Sequence, residues 1–369
     1  MRISLVSIGT TGAGPVYSLE MAKALTESKK CQLQVIISSY TSNLYKWTDY
    51  FESHQEVDFR VIETYKHTTF DVIKTMYFDF DKKAHMVDLI RQFKAEVLYT
   101  PFGLMWAPYV YKKLHKELRI VATLHDPHPH DSLLGSFKWF VFRNMPGQKS
   151  NQYVDDIVIL NQKDMEYVKN KTGKNVTVIP HASFSYYVKN ESSDRSQKNT
   201  IGFFGRIEPY KGLDLLVEAF ERQKNKDLKL LIAGSGAIED SLKARIESNK
   251  SITLINRYIE DDEFQGLINQ IDFVVLPYKR ASQSGVIPMA FAFGKTVIAT
   301  KVGALDEQVP EGTGLLVAPN ADDIASAIDD LYSDVEKIKT LGANAQRYAQ
   351  TELTWEHSAN LLLNYLEGK

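Results

Sequence analysis

Short apolar runs alternate with amphipathic helical stretches along almost the whole chain, and this alternation restricts the fold more than any other feature. In the first half, Ile3–Ile8, Leu33–Ser39, Phe59–Glu63, Glu96–Pro101, Ile120–Leu124, Ile157–Leu160 and Val176–Pro180 read as strands. Helical stretches such as Pro15–Leu25 and Ala84–Phe93 lie between them. The second half repeats the pattern with strands over Ile201–Phe204, Leu228–Ala233, Ile252–Ile255, Phe273–Pro277, Val297–Thr300 and Leu315–Val317. Its helices are expected over Leu213–Gln223, Ala237–Glu247, Glu260–Gln270, Ile287–Phe293 and Ala321–Tyr332. Such alternation implies α/β architecture with parallel sheets, whose strands are apolar on both faces because helices cover both.

A length of 369 residues suits two domains better than one. The polar segment Val188–Asn199 has no apolar periodicity and is the best linker candidate. Each half then reads as a doubly wound sheet, residues 1–184 as an N-terminal domain and 185–352 as a C-terminal one. Two further helices follow, Val335–Gln350 and Trp355–Leu366. Trp355, Leu362 and Tyr365 make the last too apolar for a free tail, so residues 353–369 are expected to pack back on the first domain. Two domains facing each other would set the carboxyl ends of both sheets around one crevice, where ligands of α/β proteins bind.

The formal net charge of −2 gives no field that would draw the protein to nucleic acid. A single cysteine, Cys31, excludes an internal disulfide and a thiolate metal cluster. No stretch reaches the roughly 18 apolar residues of a membrane span. The opening MRISLVSIG enters a strand directly, so a cytoplasmic protein is expected. The Asn-X-Ser/Thr sites at Asn170, Asn175 and Asn190 carry no meaning in that compartment.

Thr200–Gly212 (TIGFFGRIEPYKG) reads as strand, turn and helix start, with Arg206 and Lys211 at the turn. A planar guanidinium and a mobile ammonium beside free backbone N–H groups suit a polyanion such as a diphosphate; solvated charges on an ordinary turn are the plain alternative. After the first strand, Gly9–Pro15 (GTTGAGP) offers small residues, among them Gly12, Ala13 and Gly14, that let a backbone approach a phosphate, or merely turn tightly. This is not the G-x-G-x-x-G fingerprint, and Ser38-Ser39-Tyr40 stands where a nicotinamide site places an acid.

His125 ends an apolar strand within Thr123–Asp131 (TLHDPHPHD), which points it to the crevice. Three histidines with two aspartates invite a metal, but the spacing matches no helix-borne or fingerlike ligand set and no metal is expected; a histidine donating to substrate, or a loop histidine with no task, is the alternative. Ala233–Gly236 (AGSG) either holds phosphate oxygens or turns the chain. Arg257-Tyr258-Ile259 could offer a planar base a ring edge and backbone hydrogen bonds. Ser282, Gln283, Ser284 and Gly285 form a small polar loop whose hydroxyls, amide and exposed N–H groups suit a sugar. Lys138–Arg143 (KWFVFR) is basic and aromatic, an acceptor-side or membrane-surface patch or simply a partly buried helix.

Taken in order, FFGRIEPYKGLDLLVEAF, LLIAGSG, RYIEDDEF and VVLPY…SGVIPMAFAFGKTVIATKVGALDE resemble the retaining glycosyltransferases of family 4. The resemblance covers the second half well and the first half loosely. It implies the GT-B fold, two Rossmann-like domains with a nucleotide-sugar in the cleft. By it, Arg206 and Lys211 match the cations on the donor diphosphate, and Gly12, Ala13 and Gly14 match the loop that closes on phosphates and sugar. His125 matches the histidine near the reacting carbon, and Tyr258 and Ile259 the cradle of the base. Ser284, Gly285 and Val286 match backbone amides near the distal phosphate and sugar.

The family's paired glutamates are missing: the second falls on Met289 and the first near Ala281 or Ser282. Gln283 and Ser284 are candidates to replace the first contact. The expected activity is transfer of a hexose from a UDP- or GDP-linked donor, without metal, to a glycan or lipid-linked glycan of a surface polysaccharide. A peripheral contact with the inner membrane face belongs to this expectation. The alternatives are a degenerate nucleotide-sugar-binding partner subunit, a sugar-nucleotide epimerase or an NAD-dependent oxidoreductase.

Overall fold

The computed structural model describes residues 1–369 except 67, 69–70, 72–73, 76, 129–149, 184–197 and 369; the side chains of 261–262 also lie outside the description. Most of the linker candidate, all of Lys138–Arg143, and His130 with Asp131 therefore fall outside it. The chain divides into two compact units, Met1–Pro180 with Trp355–Lys369, and His181–Thr354.

Unit 1 holds a parallel sheet of β1 (Arg2–Ser7), β2 (Gln32–Ser38), β3 (Asp58–Ile62), β4 (Val97–Thr100), β5 (Arg119–Thr123), β6 (Asp156–Ile159) and β7 (Asn175–Val178). Its order is β3-β2-β1-β4-β5-β6-β7, so the winding reverses between β1 and β4, where Ile3 pairs with Val97. Helices α1 (Ala13–Ser28), α2 (Leu44–Glu52), α3 (Phe80–Gln92), α4 (Ala107–Leu114) and α5 (Met165–Thr172) lie between the strands. Helix α1 starts two residues before Pro15, which the first turn tolerates because its missing N–H would find no partner there.

Unit 2 holds β8 (Thr200–Phe204), β9 (Lys229–Ala233), β10 (Ile252–Ile255), β11 (Phe273–Leu276), β12 (Val297–Thr300) and β13 (Gly314–Val317), ordered β10-β9-β8-β11-β12-β13. Its helices are α6 (Leu213–Arg222), α7 (Asp240–Ser248), α8 (Asp261–Ile268), α9 (Val286–Ala292), α10 (Leu305–Gln308), α11 (Ala321–Ser333) and α12 (Val335–Thr351). One apolar cluster packs α6 and α11 on one face of the sheet, and a second packs α9 and α12 on the other. Both sheets are doubly wound and Rossmann-like, the α/β class that the alternation predicts. The reversal in unit 2 lies between β8 and β11, the position that leaves a crevice at the strand ends.

Helix α13 (Trp355–Leu366) belongs to unit 1 and packs along α1. Arg119 and Tyr365 both bond the buried Asp156 carboxylate, at 2.5 and 2.7 Å, and Arg119 also reaches the Leu366 carbonyl at 3.2 Å. Burial pushes the Asp156 carboxyl up, but hydrogen bonds from Arg119 and Tyr365 outweigh it and hold its pKa below the ordinary value.

Candidate functional site

In unit 2 the two most informative stretches of sequence meet at the switch point. β8 ends at Gly205, which takes the left-handed region at φ +104°, and the chain runs past Arg206 into a 3₁₀ turn, Pro209–Lys211. Lys211 thus precedes α6 on a turn of its own, set off by Pro209 and by Gly212 at φ +66°. A Cβ on Gly212 would stand 2.0 Å from the Pro277 carbonyl oxygen, so the turn lies directly on the end of β11. The Tyr210 carbonyl accepts from Lys279 N–H at 2.7 Å and sews the two connections together.

The two cations differ in setting. Arg206 is exposed, its guanidinium 4.0 Å from Glu208. Lys211 is half-buried, with Nζ 5.2 Å from the centre of the Tyr278 ring and 3.0 Å from where a Cβ of Gly205 would sit. Among the described residues no carboxylate forms an ion pair with it. Burial lowers its pKa below the ordinary lysine value, as expected for an ammonium short of counter-charge. Tyr278, buried beneath it, is pushed up to about 12 by burial and stays a neutral phenol.

The polar loop after β11 is held from within. Tyr278 Oη lies 3.1 Å from Ser284 Oγ, and Ser284 Oγ accepts from Val286 N–H at 3.3 Å. Gln308 on α10 clamps Ser284 twice: its Oε1 accepts from Ser284 N–H at 2.6 Å, and its Nε2 donates to the Ser284 carbonyl at 3.1 Å. Of the three amides assigned by resemblance, those of Ser284 and Val286 are thus already engaged. Gly285 N–H has no acceptor among the described residues, and the His181 Nε2 lies 3.9 Å from its would-be Cβ. His181 is buried, which lowers its pKa, and its Nδ1–H donates to the Ala182 carbonyl at 2.7 Å. Gln283 keeps a buried Oε1 without a hydrogen-bond partner among the described residues, and Met289 sits half-buried on α9.

The Ala233–Gly236 loop turns out to be a buttress. A Cβ on Gly234 would stand 1.9 Å from the Gly205 carbonyl oxygen, and one on Gly236 2.0 Å from that of Ile207. Ile207 N–H donates to the Ser235 carbonyl at 2.8 Å, and Asn256 bonds both the N–H and the carbonyl of Gly236, at 3.1 and 3.0 Å. These glycines make room for the Arg206 connection. Beyond them Tyr258 is exposed, and its carbonyl accepts from Arg257 at 3.1 Å while Arg257 pairs with Glu263. Ile259 packs on the apolar core.

In unit 1, Gly12 needs its φ of +80°, Gly12 and Ala13 are exposed, and Gly14 is buried. His125 follows β5; its Nε2–H donates to the Pro101 carbonyl at 2.8 Å. Its ring lies 4.2 Å from that of Phe102 and 4.6 Å, edge-on, from that of Tyr17. His128 turns elsewhere, bonding Asp164 at 2.8 Å. Among the described residues no three His, Cys, Asp or Glu side chains converge as metal ligands do, and no helix is long and apolar enough to cross a membrane.

Gln308, His181 and Phe102 carried no sequence signal of their own. Each matters through a contact with a residue far away in the chain, and periodicity cannot report such a contact.

A half-buried cation that forms no carboxylate ion pair among the described residues, at the switch point of a Rossmann-like sheet, suits an anionic, phosphate-bearing ligand. Residues 198–334 match the model of the glycosyl transferases group 1. An uncharacterised glycosyltransferase of Methanocaldococcus jannaschii is 28% identical over 52% of this chain and 54% of its own length. The D-inositol 3-phosphate glycosyltransferase of Rhodococcus opacus is 32% identical over 45% of this chain and 40% of its own. The chain thus spans about half or less of the length of these relatives. Among solved structures, Anabaena HepE in complex with UDP shares the fold over 100% of both chains, with a TM-score of 0.72 at 17% identity.

Proposed function

We propose that the protein is a retaining, metal-independent glycosyltransferase that moves a hexose from a UDP- or GDP-linked donor to a glycan or lipid-linked glycan acceptor. The observation that carries this reading is Lys211, a desolvated ammonium that forms no carboxylate ion pair among the described residues, at the β8/β11 switch point. An anion that binds there gains an unscreened charge-assisted contact, and Arg206 adds a bidentate one. The family of residues 198–334 and the UDP bound by HepE support a nucleoside diphosphate as that anion.

As the glycosidic bond breaks, its electron pair stays on the departing diphosphate, and positive charge grows on the sugar ring. Cations already in place stabilise the former without rearrangement, which is the service a divalent metal renders elsewhere. The acceptor hydroxyl attacks from the face the diphosphate leaves, and a diphosphate oxygen takes its proton. In this reading His125 contacts the donor sugar, and Gly12, Ala13 and Gly14 lie along it. Tyr258 and Ile259 take the base, and the buried Gln283 Oε1 replaces the missing carboxylate by accepting from a sugar hydroxyl. Gly285, Val286 and Met289 line the same loop and helix. In this reading the protein works on the cytoplasmic side, with its acceptor at the membrane face.

A thermal-shift panel of UDP, GDP and NAD, followed by turnover of the matching nucleotide-sugars, tests the reading. Wild type should bind one diphosphate, ignore NAD and turn its sugar over in EDTA. Arg206→Ala and Lys211→Ala should each lose on the order of 10²-fold in rate. Stabilisation by NAD alone would overturn it. Methionine at position 289 favours one second reading, a nucleotide-sugar-binding partner subunit: binding without turnover of any donor would select it.

A further inference from the structure

The geometry points to a purpose for Gly14 other than contact with phosphate: we infer that its missing side chain is the seat of Phe102, and that Phe102 and Tyr17 are positioning residues for His125. A Cβ at position 14 would lie 2.9, 3.1 and 3.3 Å from three atoms of the Phe102 ring, the first closer than carbon atoms tolerate and the other two tight enough to press the ring aside. Unlike Gly12, Gly14 has no positive φ to explain it. Phe102 lies on the connection after β4, outside any regular element, so neighbours set its ring orientation. Gly14 and Tyr17 stand three apart on α1 and therefore on one face, the first offering a gap and the second a ring.

His125 receives three constraints from this arrangement. Pro101 O holds one ring nitrogen at 2.8 Å, Phe102 lies tilted 39° at 4.2 Å, and the Tyr17 edge meets it at 85° and 4.6 Å. Tyr17 is backed in turn by Trp355 at 4.8 Å, so the first residue of α13 closes the far side of the stack. Such edge and offset contacts fix ring orientation as well as add stability. A larger residue at 14 moves Phe102, and Phe102 moves the imidazole.

The inference rests on the proposed role of His125, but its test has a part that does not. Gly14→Ala, Phe102→Leu, the double variant and Phe102→Tyr are compared with wild type in three measurements. These are donor turnover, UDP or GDP dissociation constant, and the His125 imidazole proton shifts, assigned from the signals lost in His125→Gln. Each of the first two variants should lower kcat on the order of ten- to a hundredfold by misplacing one group. Both should move the His125 signals and leave nucleotide affinity within about twofold. Adding Gly14→Ala to Phe102→Leu should cost less than Gly14→Ala costs alone, since leucine's rotatable branched end yields where the rigid ring does not. Phe102→Tyr should keep wild-type turnover and shifts. If Gly14→Ala is equally costly in both backgrounds and weakens nucleotide binding, Gly14 serves the phosphate and the inference falls. Unmoved His125 signals in Phe102→Leu overturn it whatever the turnover. Should Gly14→Ala not fold, the two Phe102 variants decide on shifts and kcat. If wild type turns over no donor, the proposed function fails while the shifts still decide this inference.

Discussion

Lys211 pays for its position in desolvation, and the pH dependence of binding should show it. Its pKa is lowered, so between the folded and the ordinary value the unfolded chain holds more protons, and stability rises slightly with pH as the buried charge is lost. Nucleotide affinity should move the opposite way, because only the ammonium attracts the diphosphate. Calorimetric titration with UDP or GDP should show affinity falling on an alkaline limb that starts below the ordinary lysine value. Lys211→Arg should flatten that limb, since a guanidinium stays charged. Gly212→Ala is a second residue-scale change with a clear direction. It sets a Cβ 2.0 Å from the Pro277 oxygen in a left-handed backbone, and chemical denaturation should register a loss of roughly 2–4 kcal/mol. Arg206 and Lys211 were legible from local sequence because strand, glycine turn and helix follow one another in ten residues or so. The Tyr278 ring under Lys211 was not, because 67 positions of chain separate them and only the sheet order joins them.

Among elements, the loop after β11 and helix α10 act as one piece through Gln308. Gln308→Leu removes both bonds to Ser284 and frees its N–H and carbonyl. Hydrogen exchange should accelerate at 282–286, and nucleotide-sugar turnover should fall more than UDP or GDP affinity, since the proposed function sets the sugar against this loop. Gln308→Glu keeps the acceptor and loses the donor, so it should fall between the two. The polar loop was visible in sequence as a run of hydroxyls and an amide, but which of its N–H groups stay open depends on α10 packing beside it. Ala233–Gly236 shows the same limit: its glycines were visible, and the backbone they admit was not. Helix α13 is pinned by the Arg119–Asp156–Tyr365 cluster. The depressed Asp156 pKa means that its stabilisation is complete above the unfolded value near 3.9 and is lost as pH falls through the folded one. Asp156→Asn should cost roughly 2–3 kcal/mol at neutral pH by leaving Arg119 without its carboxylate, and much less in acid.

For the whole molecule, unit 1 is made of two stretches of chain that the other unit separates. Removing residues after Thr354 takes α13 off α1 and uncovers Tyr17 and its neighbours, so unit 1 should melt at lower temperature. Unit 2 contributes Lys211 and Gln308 from within His181–Thr354, and its nucleotide-induced thermal shift should persist in the same truncation. The sequence by itself determined the α/β class, the two parallel sheets, the last helices nearly to the residue, and the cationic turn after β8. All of these follow from periodicity and from residues close in the chain, where local sterics and apolar spacing decide. Tertiary structure alone decided which loop glycines are seats for other groups, which amides of the loop after β11 are occupied, and what holds His125 and Lys211. Those are contacts between strand ends distant in sequence, and they exist only once the sheets have wound and set their strand order.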